Sequence, residues 1–313
     1  MDYRLTVFRA VARRQHFSRA ADDLDLSQPA VSKHIQLLEA EWGVQLFHRL
    51  GSRVELTDAG RILADYAERM AVLTEEARRV LAELAGLQRG YLRLGASTTP
   101  GLYLLPEVLA RFQTRYPGVE VTLAISNSAD VARRVLNAEC DLGFVGAPAE
   151  AAGLQVRPFA EDEIILIVPP GHALTQSASP APELFAGATL ILREAGSGTR
   201  QLVEAHLAQW GVQPKRVMAL PGCEAVKRAV AAGLGIAWIS RHAITLEVAH
   251  KLICAPELPA LRIPRHLYAL TRKDARPTAA SLAFLALVLQ ETATAHAEKP
   301  LRPAPGTAGH AIS

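Results

Sequence analysis

Residues 18–38 read SRAADDLDLSQPAVSKHIQLL, and the organisation of the whole chain turns on this stretch. Ala20, Ala21 and Leu24 recur at helical spacing behind Ser18, which is placed to cap a short helix. The pattern breaks at Asp25, a residue type that tolerates left-handed backbone. It restarts at once. Ser27 stands as an N-cap, Pro29 sits in the first turn where its missing N–H costs nothing, and Val31, Ile35 and Leu38 form one apolar stripe. Upstream, Leu5, Phe8, Val11 and Ala12 predict a first helix ending at His16 and Phe17. Two short helices across a tight turn, with alanines where they approach, make a helix-turn-helix.

With the apolar stripe turned inward, Gln28, Pro29, Ser32, Lys33 and Gln36 occupy the opposite face, with Ser27 at its N-terminal edge. Gln pairs bidentately with adenine, Ser donates or accepts, Lys reaches guanine or phosphate, and a helix N-terminus favours phosphate. The competing reading of the same residues is a solvated polar face. Next, Leu46-Phe47-His48-Arg49 and Arg53-Val54-Glu55-Leu56 flank Leu50-Gly51-Ser52 as a short hairpin, or wing. Arg49 and Arg53 suit backbone phosphate or the minor groove, or are simply solvated turn residues. Thr57 then caps a long helix, whose stripe of Ile62, Leu63, Tyr66, Met70, Leu73, Ala77, Val80, Leu81 and Leu84 runs through about Leu87. A lone helix of that length needs a partner. A second copy of the chain would supply one and set two reading heads on a pseudo-palindromic DNA site.

The sequence resembles the LysR-type transcriptional regulators. Ser18-Arg19-Ala20-Ala21, Ser27-Gln28-Pro29-Ala30-Val31-Ser32, Leu37-Leu38-Glu39, Leu46-Phe47-His48-Arg49 and Leu56-Thr57-Asp58-Ala59-Gly60 follow that family's order and spacing. His48 departs from the acidic or other polar residue more usual there. The resemblance implies a DNA-binding regulator that forms a homodimer or homotetramer, with RNA polymerase as a further candidate partner. It also implies a periplasmic-binding-protein-like effector domain over the rest of the chain.

The residues beyond 90 read the same way on their own terms. Tyr91–Ala96, Val119–Ile125 and Asp141–Gly146 are predicted strands, alternating with helices over Leu104–Tyr116 and Ala129–Asn137. A second set follows: Glu163–Val168, Leu190–Arg193, Arg216–Leu220 and Gly235–Ile239 as strands, with helices over Ser197–Trp210 and Cys223–Ala232. Ile263–Thr271 returns as a strand before a helix at Ser281–Gln290. Alternation of this kind predicts a parallel sheet flanked by helices. The expected fold is therefore α/β: a winged helix-turn-helix over 1–60, a linker helix over 58–88, and a two-lobed effector domain over 91–297. Its first lobe takes 91–162 and 265–297, its second 163–264, with crossing strands near Ala160–Ile164 and Leu261–Leu267. The Pro-, Ala- and Gly-rich residues 298–313 are expected to form a disordered tail.

A cleft between two such lobes takes small molecules. Ser97, Thr98 and Thr99 stand at the C-terminal end of the first strand, where open α/β sheets bind ligands. Arg193-Glu194-Ala195-Gly196-Ser197-Gly198-Thr199-Arg200 follows another strand and opens another helix, with glycines that let backbone N–H groups curl around an anion. Ser97 and Ser197 read equally as plain N-caps, and the glycines as turn residues. Asn127, Gly146 and Glu224 complete the candidate effector set, and Lys227 reads either as a weak member or as a solvated charge. Hydroxyls, helix dipoles and Arg193 or Arg200 favour an anionic effector. The Arg193–Arg200 stretch, followed by Ala229-Val230-Ala231-Ala232-Gly233-Leu234-Gly235-Ile236, looks like the family branch containing regulators of carbon fixation and sulfur assimilation. That likeness implies phosphorylated metabolites or sulfur-containing anions as effectors.

Composition sets the outer bounds. At 313 residues, 50% hydrophobic and 21% charged, the chain exceeds one ordinary domain and is neither disordered nor fibrous. In residues 1–60 eight basic side chains balance eight acidic ones, so a case for DNA rests on arrangement rather than charge. No apolar run reaches membrane-spanning length and no signal segment is visible, so the expected location is the cytoplasm. Cys140, Cys223 and Cys254 are too scattered for a disulfide framework or a zinc site and read as core residues. With no Gly-Lys-Ser/Thr loop, no His-Glu-x-x-His and no Gly-x-Ser-x-Gly, catalytic residues, metal and cofactor are all expected to be absent. A transport-type binding protein would not need the helix-turn-helix, and an architectural DNA protein would not need the C-terminal two thirds.

Overall fold

The computed structural model describes residues 2–50, 53–83, 90–148, 151–175, 185, 187–212 and 214–297. The chain divides into two compact units, Met1–Ala85 and Gly86–Ser313.

In the first unit, α1 (Tyr3–Arg14) is capped by the Asp2 carboxylate, which accepts from Arg4 N–H at 3.0 Å. It ends at Gln15 in left-handed backbone, φ 50°. Helix α2 (Phe17–Asp23) starts two residues earlier than Ser18 would dictate: His16 holds the cap position, and Ser18 lies inside the helix. The Phe17 ring packing 6.0 Å from Phe47 accounts for this, since aromatic burial outweighs a single hydroxyl cap. Asp25 takes φ 53° in the turn, as the sequence pattern requires. Helix α3 (Gln28–Trp42) has Ser27 as its N-cap, accepting from Ala30 N–H at 3.4 Å, and closes on Gly43 at φ 68°. Val31, Ile35 and Leu38 bury against Phe8, Val11, Ala20 and Ala21. Strands β1 (Phe47–Leu50) and β2 (Arg53–Leu56) pair antiparallel, with Leu50 opposite Arg53. The turn residues Gly51 and Ser52 lie outside the described residues.

Thr57 caps α4 (Asp58–Glu83), accepting from Gly60 N–H at 2.9 Å while its hydroxyl donates to Gln45 O at 2.7 Å. Gly60 is required there, because a Cβ would stand 2.1 Å from Leu46 O. Helix α4 turns Leu63 and Ala67 into the core and leaves Ile62, Tyr66, Met70 and Leu73 exposed. The expected continuation to Leu87, with Leu84, lies outside the described residues.

The second unit is built on one eight-stranded sheet. In chain order its elements are β3 (Gly90–Ser97), α5 (Thr98–Tyr103), α6 (Leu105–Arg115), β4 (Val119–Ser126), α7 (Ser128–Leu136), β5 (Leu142–Val145) and β6 (Leu154–Ile167). There follow β7 (Thr189–Arg193), α8 (Gly198–Gln209), β8 (Arg216–Leu220), α9 (Gly222–Ala231), β9 (Ile236–Ser240), α10 (Thr245–Ala249), β10 (Ile263–Arg272) and α11 (Ala279–Ala297). The strand order is β4-β3-β5-β10-β6-β9-β7-β8.

This sheet is mixed, which corrects the expectation of a parallel one. β3 pairs parallel with β4 and β5, and β7 with β8 and β9. Between these sets run the long strands β6 and β10, antiparallel to one another and to β9 and β5. The strand expected over Glu163–Val168 is the end of β6, which starts at Leu154, and no helix separates it from β5 within the described residues, so alternation gives no sign of its direction. The helix expected over Leu104–Tyr116 is α6, and a short helix not expected from the sequence, α5, precedes it; Leu104 separates the two, and α6 starts with Pro106 in its first turn.

One apolar cluster lies around Leu92, Leu94, Phe112, Phe144 and Phe284, and another around Ile164, Leu190, Val203, Trp238 and Ile263. Cys140 and Cys223 are buried within the apolar packing, and Cys254 is half-buried. Residues 298–313, expected to form a disordered tail, lie outside the described residues. Among the described residues no helix is long and apolar enough to cross a membrane, and no acidic, His or Cys cluster is placed to hold a metal.

Candidate functional site

On the first unit, α3 presents the expected face. Gln28, Pro29, Lys33 and Gln36 are exposed and Ser32 is half-buried, with the Gln28 side-chain amide donating to Ser32 Oγ at 2.9 Å. This bond pre-orients two short polar side chains on one ridge. Arg49 and Arg53 lie at facing ends of the hairpin, as the partners of Val54 and Leu50. The arginines of α1 serve the fold. Arg9 and Arg13 pair with Glu68 at 2.8 and 2.6 Å, and Arg14 pairs with Asp23 at 2.5 Å.

On the second unit, the N-terminal residues of three helices meet around one small cavity. Ser97, Thr98 and Thr99 come from the β3–α5 junction, Asn127 and Ser128 from the start of α7, and Ser197, Gly198 and Thr199 from the start of α8; Gly146 and Arg193 complete the wall. The structure therefore gathers Ser97, Thr98, Thr99, Asn127, Gly146, Arg193, Ser197, Gly198 and Thr199 in one place, and adds Ser128. Glu224 does not line the cavity. It is exposed, and accepts from the Tyr103 hydroxyl at 3.1 Å.

Several of these residues are caps as well. Asn127 Oδ1 accepts from Asp130 N–H at 2.9 Å, and Ser197 Oγ from Arg200 N–H at 3.5 Å. The two sides of the cavity touch: Ala129 N–H donates to Gly196 O at 3.2 Å.

Both arginines expected to attract an anion are engaged by the protein itself. Buried Arg193 binds the Glu194 carboxylate through Nε and Nη2, each at 2.8 Å, and donates to Thr98 Oγ1 at 3.0 Å and Cys223 Sγ at 3.1 Å. Burial pushes the Glu194 carboxyl up, but hydrogen bonds and charge from Arg193 pull it further down, to below its ordinary value. Arg200 donates to Glu204 at 2.8 Å and to Arg193 O at 3.3 Å. Lys227 is not a solvated charge. It is buried with Nζ 2.5 Å from Glu247 and 2.6 Å from Glu224, and lies over the Tyr103 ring at 5.6 Å. Burial pushes the Tyr103 hydroxyl up to about 12.

Sequence reasoning missed the pair at the centre. Arg265 of β10 is the register partner of Asp162 on β6. Its Nε donates to Asp162 Oδ2 at 2.8 Å and its Nη2 lies 2.7 Å from the same oxygen. Nη1 donates to Gly146 O at 3.1 Å and Thr199 Oγ1 at 3.0 Å, and Nη2 to Thr99 Oγ1 at 3.2 Å. Asp162 Oδ1 accepts from the Ser240 hydroxyl at 2.8 Å. The available signal was two opposite charges near the middle of the two expected crossing strands.

Comparison with known proteins agrees with this architecture. The model of the bacterial regulatory helix-turn-helix protein, lysR family, matches residues 3–61, and that of the LysR substrate binding domain matches residues 85–293. The RuBisCO operon transcriptional regulator of Allochromatium vinosum is 35% identical over 292 residues, 93% of this chain and 96% of the relative. The regulatory domain of CcmR from Synechocystis PCC6803, solved in complex with 2-PG, is 30% identical with a TM-score of 0.60, over 64% of this chain and 97% of that one. Full-length CbnR in complex with its target DNA, at 21% identity, has the same fold, with a TM-score of 0.66 over 93% of this chain and 98% of that one.

Proposed function

This chain belongs to the LysR family of bacterial transcriptional regulators, and from that premise we propose how its residues divide the work. It is a DNA-binding regulator with a small-molecule effector domain, not an enzyme. In our reading α3 enters the major groove, Gln28, Pro29, Ser32, Lys33 and Gln36 face the base edges, Ser27 and the helix N-terminus take a phosphate, and Arg49 and Arg53 grip the backbone beside it. The exposed stripe of Ile62, Tyr66, Met70 and Leu73 on α4 pairs with a second copy of the chain, giving a dimer on a pseudo-palindromic site. A regulator of promoters does this in the cytoplasm. For DNA reading, Ser32→Ala with Lys33→Ala is expected to weaken binding to a duplex selected from a random pool by about tenfold or more and to broaden its sequence preference. Fluorescence anisotropy and repeat selection check this; unchanged affinity and preference would remove α3 from the reading role.

The effector domain divides at the crossing strands, with 91–162 and 265–297 as one lobe and 163–264 as the other. We propose that a small oxyanion, of the class of phosphorylated carboxylates, sits in the cavity between them. The observation that carries this is the meeting of three helix N-termini, rich in buried hydroxyls, at one cavity. As it stands the cavity has room for about one water molecule, about 10 Å³, so in this reading the effector enters by parting its walls. The 2-phosphoglycolate held by the CcmR regulatory domain belongs to this class. Titration of the full chain with 2-phosphoglycolate, sulfate, shikimate and benzoate in a thermal-shift assay tests the assignment. A ligand at a hundred times its dissociation constant adds about 2.7 kcal/mol, a shift of several degrees. Stabilisation by oxyanions, abolished by Ser197→Ala with Thr99→Ala, is expected. Stabilisation only by the aromatic and cyclic carboxylates would overturn it.

A further inference from the structure

The cavity stands between two lobes that meet along two seams, one on each face of the sheet. Strand side chains alternate between faces, so neighbouring residues show which helix covers which side. On β3, Leu92, Leu94 and Ala96 pack with Phe112 of α6, while a Cβ at Gly95 would stand 3.0 Å from Cys140 Sγ and 3.4 Å from Val131 of α7. On β9, Ile236 and Trp238 pack with Val203 of α8, and Ala237 and Ile239 with Val226 of α9. Helix α7 meets α8 along one seam. Helix α5, whose Gly101 lies against Ala96 on the α6 face, meets α9 along the other.

The two seams are built differently. At α7–α8 the backbones come into contact. Ala129 N–H donates to Gly196 O at 3.2 Å, the Asn127 amide donates to Ala195 O at 3.4 Å, and a Cβ at Gly198 would stand 3.0 Å from Ala147 N. Gly196 holds φ 83°, a conformation that favours glycine. Contacts of this kind open only if whole elements shift.

At α5–α9 the contacts run from side chain to side chain. The Tyr103 hydroxyl donates to Glu224 at 3.1 Å, and its ring lies 5.6 Å from Lys227 Nζ and packs against the apolar cluster that holds Cys223 and Val226. One layer further in, Arg193 Nη2 donates to Thr98 Oγ1 at 3.0 Å, and Thr98 lines the cavity. Each of these charged groups keeps its counter-ion when the lobes part, because Lys227, Glu224 and Glu247 belong to one lobe, as do Arg193 and Glu194. Parting along this seam frees two hydroxyls and one tyrosine ring, and leaves no buried charge without its partner. The Glu224 side chain is already 55% exposed.

Building on the reading that the cavity holds the effector, we infer that Tyr103 is its gate: the anion enters through the α5–α9 seam by breaking the Tyr103–Glu224 and Thr98–Arg193 hydrogen bonds, while the α7–α8 seam stays closed. The resting cavity has room for about one water molecule, so the effector opens this domain rather than closing it. Tyr103 is a positioning residue that holds the resting form shut. A bond of that kind subtracts from effector affinity, because only the open fraction binds. Tyr103→Phe keeps the ring and loses only the donor, and is expected to bind 2-phosphoglycolate about threefold tighter or more. A side chain that merely supports the fold would weaken binding when altered.

Pulsed electron spin resonance on the full chain reads which seam moves. One pair of spin labels, at Glu107→Cys on α6 and Arg228→Cys on α9, spans the α5–α9 side; a second, at Arg133→Cys on α7 and Ala205→Cys on α8, spans the other, and all four positions are exposed. The half-buried Cys254 is changed to Ser in both, and labelled chains are diluted in an excess of unlabelled ones so that only distances within one chain are read. With 2-phosphoglycolate the first distance is expected to lengthen by a few ångströms and the second to stay as it was. Isothermal titration supplies the affinity of Tyr103→Phe beside the parent chain. Lengthening of the second distance, shortening of either, no movement at all, or equal or weaker binding by Tyr103→Phe would overturn the gate and leave the anion site standing. Failure of 2-phosphoglycolate to bind the parent chain would overturn the site assignment itself.

Discussion

Arg265→Ala is expected to destabilise the effector domain by about 3–5 kcal/mol, the usual cost of breaking one side of a buried ion pair. Asp162 has no exposed side-chain surface and Arg265 has 3%. Without the guanidinium, Asp162 keeps only the Ser240 hydroxyl as a close partner, with His242 at 3.7 Å. Thr99, Thr199 and Gly146 O lose their donor at the same moment. Urea unfolding of the full chain, followed by tryptophan fluorescence, reads this directly, because Trp238 is buried against Phe185 and Trp210 inside the second unit. The double change Asp162→Leu with Arg265→Met is expected to recover most of the loss, since it removes both charges and keeps apolar volume. A loss below about 1 kcal/mol for Arg265→Ala would mean that water already screens the pair, as at a protein surface.

Gly198→Val is expected to cost at least tenfold in oxyanion affinity while leaving the domain folded. A Cβ at position 198 would stand 2.5 Å from Ala147 Cβ, 3.0 Å from Ala147 N and 3.1 Å from Ser128 Oγ. Gly198 is the first residue of α8 and does not have positive φ, so its own backbone accepts a side chain. The obstacle is the opposite wall of the cavity. The wall must move outward to admit the side chain, which draws the Ser128 and Thr199 hydroxyls apart and removes the close arrangement around a small anion. Titration calorimetry with 2-phosphoglycolate, beside a thermal melt of the unliganded protein, separates the two effects. Full affinity in a folded Gly198→Val protein would show that the anion binds without this contact between the walls. Gly235 gives a useful contrast: a Cβ there meets Thr189 O at 2.1 Å, so the same change should disrupt strand pairing rather than binding.

Much of this was legible in local sequence. Ser27, Asp25 and Thr57 were read correctly because caps and turns are decided by a few adjacent residues and their backbone preferences. Ser18 misled, because Phe17 finds its aromatic partner 30 positions away at Phe47. The hydroxyl-rich helix starts at 97–99 and 197–199 were visible as strand–loop–helix junctions, and the structure brings both to one cavity. The partners of charged residues were not legible. Arg193 and Arg200, read as attracting an anion, are held by Glu194 and Glu204; Lys227, read either as a weak member of the effector set or as a solvated charge, is buried beside two carboxylates. Glu224 was placed with the effector residues and stands outside the cavity.

The sequence by itself determined the helix-turn-helix, the wing, the long helix, the α/β elements and the family, because each of these rests on periodicity, capping and motif spacing within a few tens of residues. The tertiary structure alone decided that β6 and β10 run antiparallel through a mixed sheet, and that this register sets Arg265 against Asp162, 103 positions apart in the chain. It also decided which hydroxyls accept from buried guanidinium groups. The physical reason is range. A cap or an apolar stripe is settled by neighbours along the chain, whereas the partner of a buried charge is settled by which strands lie side by side.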